Sequence, residues 1–510
     1  MIEGFQVARL IPVSGIANDI EAEMRASSAL LAVLAAVRDL SAALTTPLGA
    51  SSARRAVVET FIETRFKLDA GVVRPDGLIQ VTYGSSQWRC LVEVKTGVNR
   101  LQAEQVNSYL AVAREQGINA VLTISNEIAS GADHPCVGVK QPKSNAKVRL
   151  AHLSWTEILA AALRLRVHHG VADPEQAWIL GELIRYLEHP ASGAMAFDDM
   201  GASWVGVRDG ARDRSLRRTS DGVSEIADRW DQLIRFASLR LGADIGADVQ
   251  PVVLRSQQEA KARAAALIDS LTTSGQLEGG LRVPNAAGTL AVTADVRARI
   301  LTVSADVFAP TDRGNKARVT WLLRQLGEET PPALSIEAWA RHSRTPQVAT
   351  LAQATEDPGL LVDPERRETL RFRLVLRSDM GQNRKDRGRT AGFIESVVRL
   401  IESFYGSVLE QVTAWIPAPP KSRSSDSGSE LVTEPIEDRA HLEGAIDSAV
   451  QHAANETGPA TDPSERSDED GEDVRSAEMV LAPISAFPTV PTTLPAEVVA
   501  RVEPSQTEIP

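Results

Sequence analysis

Three charged residues in an otherwise apolar stretch have the spacing of two paired strands. Pro75-Asp76 precedes Glu93-Val94-Lys95, with 17 positions from the first acidic residue to the second. Alternate side chains of a strand share a face, so Glu93 and Lys95 are expected side by side while Val94 faces the other way. Charged side chains on a buried strand are costly unless they are paired or bind a metal ion. The pattern therefore indicates either a salt bridge or a site with a chemical role.

A tight turn centred on residues 84–86 would bring Asp76 next to this pair. Around that centre, the numbers of paired residues total about 169 to 171. An odd total puts Asp76 on the face that carries Glu93 and Lys95, whereas an even total turns it to the opposite face. With an odd total, two carboxylates and one ammonium converge on one patch of sheet.

Such a group suits the hydrolysis of a phosphodiester bond. That reaction uses Mg²⁺ or Mn²⁺ to neutralise phosphate oxygens, carboxylates to hold the ion, and a group that positions the attacking water. Asp76 and Glu93 are the expected ligands, with the backbone carbonyl of Val94 as a further one. Lys95 would lie beside the water and the scissile phosphate. The alternative is that Glu93 and Lys95 form an ordinary salt bridge on a strand.

The elements around these residues follow the order helix, three strands, helix, strand. Apolar residues at helical spacing predict one long helix over residues 17–44. Runs rich in β-forming residues predict a meander of three antiparallel strands at 57–68, 72–83 and 88–94. Beyond them we expect helix 101–116, strands 120–125 and 148–153, and helix 156–167. Residues 1–167 therefore form a compact α/β domain in this interpretation.

With this order of elements, the chain resembles the PD-(D/E)XK nuclease superfamily, also called restriction-endonuclease-like. The resemblance covers roughly residues 15–165, with Pro75-Asp76 and Glu93-Val94-Lys95 at the matching places. It implies an αβββαβ core and a Mg²⁺- or Mn²⁺-dependent nuclease, most simply a deoxyribonuclease. Members of this kind act in DNA repair, restriction or phage defence. Duplex, branched and single-stranded DNA and RNA all stay open as substrates.

The resemblance also implies three accessory residues. Members often carry a glutamate on the first helix as a further metal ligand; Glu23 is the candidate and Glu21 the reserve, and either could instead be solvated. Some members carry Gln and Tyr one helical turn apart after the lysine, which Gln105 and Tyr109 match. Tyr109 could equally be a core residue. The alternative for the whole chain is a noncatalytic nucleic-acid-binding or stress-linked scaffold protein, against which the intact Asp76, Glu93 and Lys95 argue.

The second half of the chain predicts an accessory, nucleic-acid-binding region. Residues 168–274 have a helical texture, and residues 275–420 have an α+β pattern with a possible internal duplication. Two units of strand, basic loop and helix carry this weak repeat. Their loops hold the candidate phosphate-binding residues Arg313, Lys316 and Arg318, and Arg384, Lys385, Arg387 and Arg389. The other interpretation is that both loops are solvated surface. Residues 168–420 are also the candidate surface for a protein partner.

The charge and composition bound the remaining possibilities. The net charge of the chain is −12, and residues 421–510 alone carry −13, with 19 acidic and 6 basic residues. This composition predicts a disordered acidic tail. Two cysteines without a CxxC motif exclude a disulfide scaffold and a zinc module. No run approaches the about 20 apolar residues of a membrane span. We expect a cytoplasmic α/β multidomain protein that binds nucleic acid and no membrane. The sequence does not indicate an oligomeric state.

Overall fold

The computed structural model describes residues 9–16, 18–68, 71–129, 134–135, 138–140, 142–143, 146–385 and 392–416. The predicted acidic tail 421–510 lies outside the described residues, as do the candidate nucleic-acid contacts Arg387 and Arg389. Within the described part the chain is a mixed α/β protein with two sheets.

The described residues up to 187 form seven strands and five α-helices. The strands are β1 (Val57–Ile62), β2 (Phe66–Leu68), β3 (Gly71–Val73), β4 (Gly77–Tyr83), β5 (Ser86–Val94), β6 (Ala120–Ser125) and β7 (Arg149–Ser154). The helices are α1 (Asp19–Ala36), α2 (Arg38–Thr45), α3 (Ala103–Glu115), α4 (Trp155–Leu163) and α5 (Pro174–Leu187). This order contains the predicted helix, three-strand meander, helix and strand.

Five of these strands form a mixed sheet in the order β1-β4-β5-β6-β7. The first three are antiparallel neighbours, and β5, β6 and β7 run parallel. The inner strand β6 is buried along its whole length, because helices cover both faces of the sheet. Helices α1, α2, α4 and α5 share one core, while α3 packs on the opposite face with Leu91 and Val121.

The predicted single helix over residues 17–44 is wrong at one position. Helix α1 starts after Asn18, whose side chain accepts a hydrogen bond from the Glu21 N–H, and ends at Ala36, with Val37 as its C-cap. Val37 is fully buried and has an extended backbone, so α2 departs at a bend of 107° when measured through Leu48. The bend lets the apolar side chains of both helices reach the same core.

The first two predicted strands are each divided in two. Glu63 has a positive φ of 54° and ends β1, and the chain then forms the small hairpin β2–β3 as a separate two-stranded sheet. After Pro75-Asp76 the chain returns as β4, which pairs with β1. The meander is therefore correct in order but carries an inserted hairpin directly before Asp76.

The second half of the chain is built on a seven-stranded antiparallel sheet. Its strands are β8 (Gln250–Pro251), β9 (Gln276–Arg282), β10 (Leu290–Asp295), β11 (Ile300–Phe308), β12 (Ser335–Ala340), β13 (Gln347–Thr350) and β14 (Thr369–Asp379). Its helices are α6 (Trp204–Arg212), α7 (Val223–Ile245), α8 (Ala260–Thr273), α9 (Asn315–Leu323), α10 (Leu351–Glu356) and α11 (Phe393–Phe404). The strand order is β13-β12-β14-β11-β10-β9-β8. The predicted strands near 289, 299 and 370 correspond to β10, β11 and β14, whereas β8, β9, β12 and β13 were missed because their apolar runs are short.

Hydrophobic contacts assign the middle helices to the two sheets. Helix α5 contributes Leu180 and Leu183 to the core of the first sheet, and α7 contributes Trp230 and Leu233 to the core of the second. All described residues belong to one compact unit. The predicted duplication stays a prediction; its two strands, β11 and β14, are antiparallel neighbours at the centre of the second sheet.

No single helix of the described ranges has both the length and the apolar character to cross a membrane. The bent pair of α1 with residues 38–48 meets those two criteria only when both parts are taken together.

Candidate active site

The hairpin between β4 and β5 places Asp76 beside Glu93. Tyr83 pairs with Ser86 and Gly77 with Val92, so the numbers of paired residues total 169. This is one of the two odd totals that the sequence allowed, and it continues the register to Asp76 and Glu93. Asp76 Oδ2 also accepts a hydrogen bond of 2.8 Å from the Val94 N–H, which fixes the first carboxylate against the strand that carries the second.

Lys95 lies directly after β5 and joins three segments of the chain. Its Nζ is 2.7 Å from Glu93 Oε1, 2.7 Å from Glu23 Oε1, and 3.1 Å from the carbonyl oxygen of Val94. Its backbone is held as well, since its carbonyl accepts a 2.9 Å hydrogen bond from the Trp155 indole. The side chain of Lys95 is only 13% exposed. The structure thus directs Glu23, not the exposed Glu21, to this cluster.

Helix α3 supplies a hydrogen-bonded pair that supports Glu93. Tyr109 donates from its hydroxyl to Glu93 Oε2 at 2.7 Å, and Gln105 donates from Nε2 to the Tyr109 oxygen at 2.8 Å. The i, i+4 spacing puts both residues on the face of α3 that packs on the sheet. Tyr109 is buried, so it is both a core residue and a contact of the cluster.

Asp76 and Glu93 hold protons more tightly than carboxylates usually do, because their pKa values are raised. Burial, followed by the nearby charge of Asp76, raises the pKa of Glu93 from 4.5 to about 7. Burial also raises the pKa of Asp76 above its ordinary value. The pKa of Lys95 is raised, because the attraction of Glu93 and Glu23 outweighs the opposing effect of burial. Burial together with the Glu93 charge raises the pKa of Tyr109 far above 10, so this phenol stays protonated.

The cluster suits a divalent cation bound by few side chains. Glu93 Oε1 is buried and lies 2.7 Å from the Lys95 ammonium. No three or more His, Cys, Asp or Glu side chains in the described ranges are grouped to hold a metal ion. Mg²⁺ needs no such group, since it keeps several waters and is commonly bound by one or two carboxylates plus substrate phosphates. Asp76, Glu93 and the Val94 carbonyl fit that smaller ligand set.

One residue of this region was missed by the sequence analysis. Asn126 donates from Nδ2 to the carbonyl oxygens of Gly97 at 3.0 Å and Gly193 at 2.8 Å, and its Oδ1 accepts from the Met195 N–H. It therefore clamps the loop after Lys95 to the segment that leaves α5. The available signal was a polar residue directly after the buried strand β6, at the edge where the parallel strands end.

The basic loops of the second half differ in what they expose. Arg313 and Lys316 are exposed at the start of α9. Arg318 is buried instead, and its guanidinium donates to the carbonyl oxygens of Thr311, Arg313 and Thr369 and pairs with Glu368, so the structure does not support its predicted contact with nucleic acid. Arg384 and Lys385 both pair with Asp199, at 3.0 and 3.2 Å.

The predicted residues Glu23, Asp76, Glu93, Lys95, Gln105 and Tyr109 therefore meet at one edge of the first sheet, linked by contacts of 2.7 to 2.8 Å. The arrangement offers carboxylate oxygens for a cation, a protonated lysine and a protonated phenol within one partly buried cluster. Comparison of the chain with models of known protein families, with curated proteins and with solved structures finds no match.

Proposed function

We propose that this protein is a divalent-metal-dependent nuclease that hydrolyses phosphodiester bonds, with DNA as the first substrate to test. The observation that carries the proposal is the convergence of Asp76, Glu93 and Lys95 at the end of a central strand. Asp76 and Glu93 are neighbouring carboxylates that repel each other, and a bound divalent cation would relieve this repulsion more than the single charge of Lys95 does. Phosphodiester hydrolysis requires such a cation next to the reacting phosphate.

Asp76, Glu93 and the Val94 carbonyl would hold Mg²⁺ or Mn²⁺, with Glu23 as a further oxygen ligand. The ion, when bound, supplies positive charge for the phosphate oxygens and makes a bound water more acidic. Lys95 keeps its proton at neutral pH, since its pKa is raised. Its ammonium therefore acts as a hydrogen-bond donor that orients a phosphate oxygen or the attacking water, and not as the base that removes a proton.

Tyr109 and Gln105 on α3 hold the Glu93 carboxylate in place through hydrogen bonds. The Tyr109 hydroxyl donates to Oε2, which fixes the carboxylate and leaves Oε1 directed toward the cluster. A hydrogen bond donated to a carboxylate favours its ionised form, so this contact offsets part of the effect of burial. Gln105 holds the hydroxyl in this orientation by donating to its oxygen.

The test is cleavage of linear duplex, nicked, branched and single-stranded DNA and of RNA, with Mg²⁺ or Mn²⁺ and with EDTA. Native protein is compared with Lys95→Ala and with the control Lys261→Ala, which changes an exposed lysine on α8. We expect metal-dependent cleavage that survives in Lys261→Ala and falls at least 100-fold in Lys95→Ala, since positioned charges of this kind typically contribute about 10² to 10³ in rate. The proposal would be rejected in favour of a noncatalytic binding role if the native protein cleaved none of the substrates. It would also be rejected if Lys95→Ala and Lys261→Ala cleaved equally well.

A further inference from the structure

Two aromatic side chains and an arginine form one row across the second sheet. Arg371 on β14 pairs with Phe308 on β11 and with Trp339 on β12. Paired residues of neighbouring strands project from the same face. The guanidinium carbon of Arg371 lies 5.1 Å from the centre of the Trp339 ring, and that of Arg373 lies 5.8 Å from it. Both arginines also form ion pairs with Asp306, which fixes their orientation.

This row lies on the face of the sheet that points away from the core. Along β11, Leu301, Val303, Ala305 and Val307 are buried in the core with the helices, whereas the alternate residues are partly or fully exposed. Phe308 belongs to the second set and is 70% exposed. A large aromatic ring with this exposure, beside a guanidinium 5.1 Å from the centre of a second ring, is a stacking surface that the described residues leave open.

The end of the sheet around this row carries an excess of positive charge. The segments 306–318, 337–344 and 363–373 meet there through the hydrogen bonds of Ala309 N–H to Leu370 O and of Arg341 N–H to Glu368 O. Together they contain nine Lys and Arg against six Asp and Glu. Lys316, Arg344 and Arg366 have no ion-pair partner among the described residues, so their charge is available to a ligand.

From these observations we infer that this end of the second sheet binds single-stranded nucleic acid, with an unstacked base on Phe308 and Arg371 and phosphates on Lys316, Arg344 and Arg366. An exposed aromatic ring recognises a base only when that base is not paired and stacked in a duplex. Exposed cations on the segments next to the platform supply the positive charge that a phosphate backbone requires. The inference deepens the proposed nuclease function by naming the form of nucleic acid that the accessory half holds.

Binding of a fluorescein-labelled 20-nucleotide oligothymidine is measured by anisotropy with the full chain in EDTA, so that no cleavage interferes. We expect Phe308→Leu to weaken binding about tenfold, the typical effect of losing one stacked base. Phe308→Trp should retain the affinity of the native protein. Trp178→Leu, which removes another exposed aromatic side chain on α5, is the matched control and should leave binding unchanged.

The charges are tested by salt dependence. Replacing Lys316, Arg344 and Arg366 together by glutamine should reduce the slope of log affinity against log salt by about two, since each phosphate contact on a single strand contributes about 0.7. The exposed Arg399→Gln is the control for charge alone and should leave the slope unchanged.

Equal affinity for a 20-base-pair duplex, or binding by Phe308→Leu within twofold of native, would overturn the inference. The binding assay runs in EDTA and does not depend on cleavage. A failed cleavage assay and a failed binding assay are therefore separate results: the first rejects the proposed nuclease, and the second rejects this surface.

Discussion

The Lys95 ammonium lies 2.7 Å from Glu23 Oε1, although 72 positions separate the two residues in the sequence. The same nitrogen contacts Glu93 Oε1 and the Val94 carbonyl, so one ammonium contacts three oxygens that the proposed mechanism assigns to a metal ion. Lys95 and a bound metal ion would therefore compete for the same oxygens.

Removing the charge of Lys95 should strengthen metal binding while it abolishes catalysis. In Lys95→Met, a side chain of similar length fills the space without a positive charge beside Glu93. We expect Mn²⁺ affinity, measured by calorimetry, to rise about tenfold, because the repulsion between two cations a few Å apart is removed. Cleavage by the same variant should be lost. Unchanged or weaker Mn²⁺ binding would show that the ion does not share oxygens with Lys95.

Glu23 and Glu21 provide a matched comparison on one helix. Glu23→Gln removes the charge that contacts Lys95, whereas Glu21→Gln removes an exposed charge two positions away. We expect the first change to lower cleavage at saturating Mg²⁺ by about tenfold and to raise the Mg²⁺ concentration needed, since one supporting ligand is lost. The second should have little effect. The assignment of Glu23 fails if both variants behave alike.

Tyr109 and Gln105 should act as one unit. Tyr109→Phe removes the hydroxyl that donates to Glu93 and should lower the free energy of unfolding by about 1 kcal/mol. The same change should lower the rate of cleavage by a larger free-energy equivalent. Gln105→Leu should matter in the native protein and much less in Tyr109→Phe, because its contact is with the hydroxyl. A double-mutant cycle on urea unfolding and on the pH profile of cleavage measures this coupling. Additive effects would contradict the chain of hydrogen bonds.

Glu93 predicts that the metal-free protein becomes less stable as the pH rises. Its pKa is about 7 in the folded chain, against the ordinary value of 4.5 that applies in the unfolded chain. Between these two pH values the folded protein therefore binds more protons than the unfolded one. Stability from this group is complete below pH 4.5, falls between pH 4.5 and 7 and is constant above. The loss is on the order of 1–3 kcal/mol. Thermal unfolding in EDTA from pH 5 to 8 should show this slope in native protein and in the exposed control Glu104→Gln, but not in Glu93→Gln. A slope that persists in Glu93→Gln would refute this origin.

Gly193 should be essential for the clamp beside Lys95. It has a φ of +74°, and a Cβ there would lie 2.8 Å from the Thr96 Cβ, while its carbonyl accepts from Asn126 and from the Gly97 N–H. Gly117 also has a positive φ, of +61°, but open space around it. Gly117→Ala should cost about 1 kcal/mol for the backbone alone. Gly193→Ala should cost about 2 kcal/mol more, since the clash displaces the loop. Unfolding in urea and cleavage rates check this; equal losses in the two variants would argue against the clamp.

Local geometry made much of the site predictable from the sequence. The alternation of a strand puts Glu93 and Lys95 together, the hairpin turn limits the register of Asp76, and the helical repeat aligns Gln105 with Tyr109. Each of these relations spans one or two elements that are adjacent in the chain, so backbone geometry alone decides it. The order of helices and strands along this part of the chain was predictable for the same reason.

Relations between distant segments needed the tertiary structure. Glu21 and Glu23 lie about 200° apart around a helix, and only the packing of α1 on the sheet turns Glu23 toward Lys95. Arg318 has the sequence context of a phosphate ligand, yet carbonyl groups from two separate segments draw it inside. Asn126 gained its role from Gly193, a residue 67 positions away. The sequence by itself therefore determined which chemical groups neighbour each other along a strand or helix, and the tertiary structure decided which distant groups meet, because packing angles depend on the whole core.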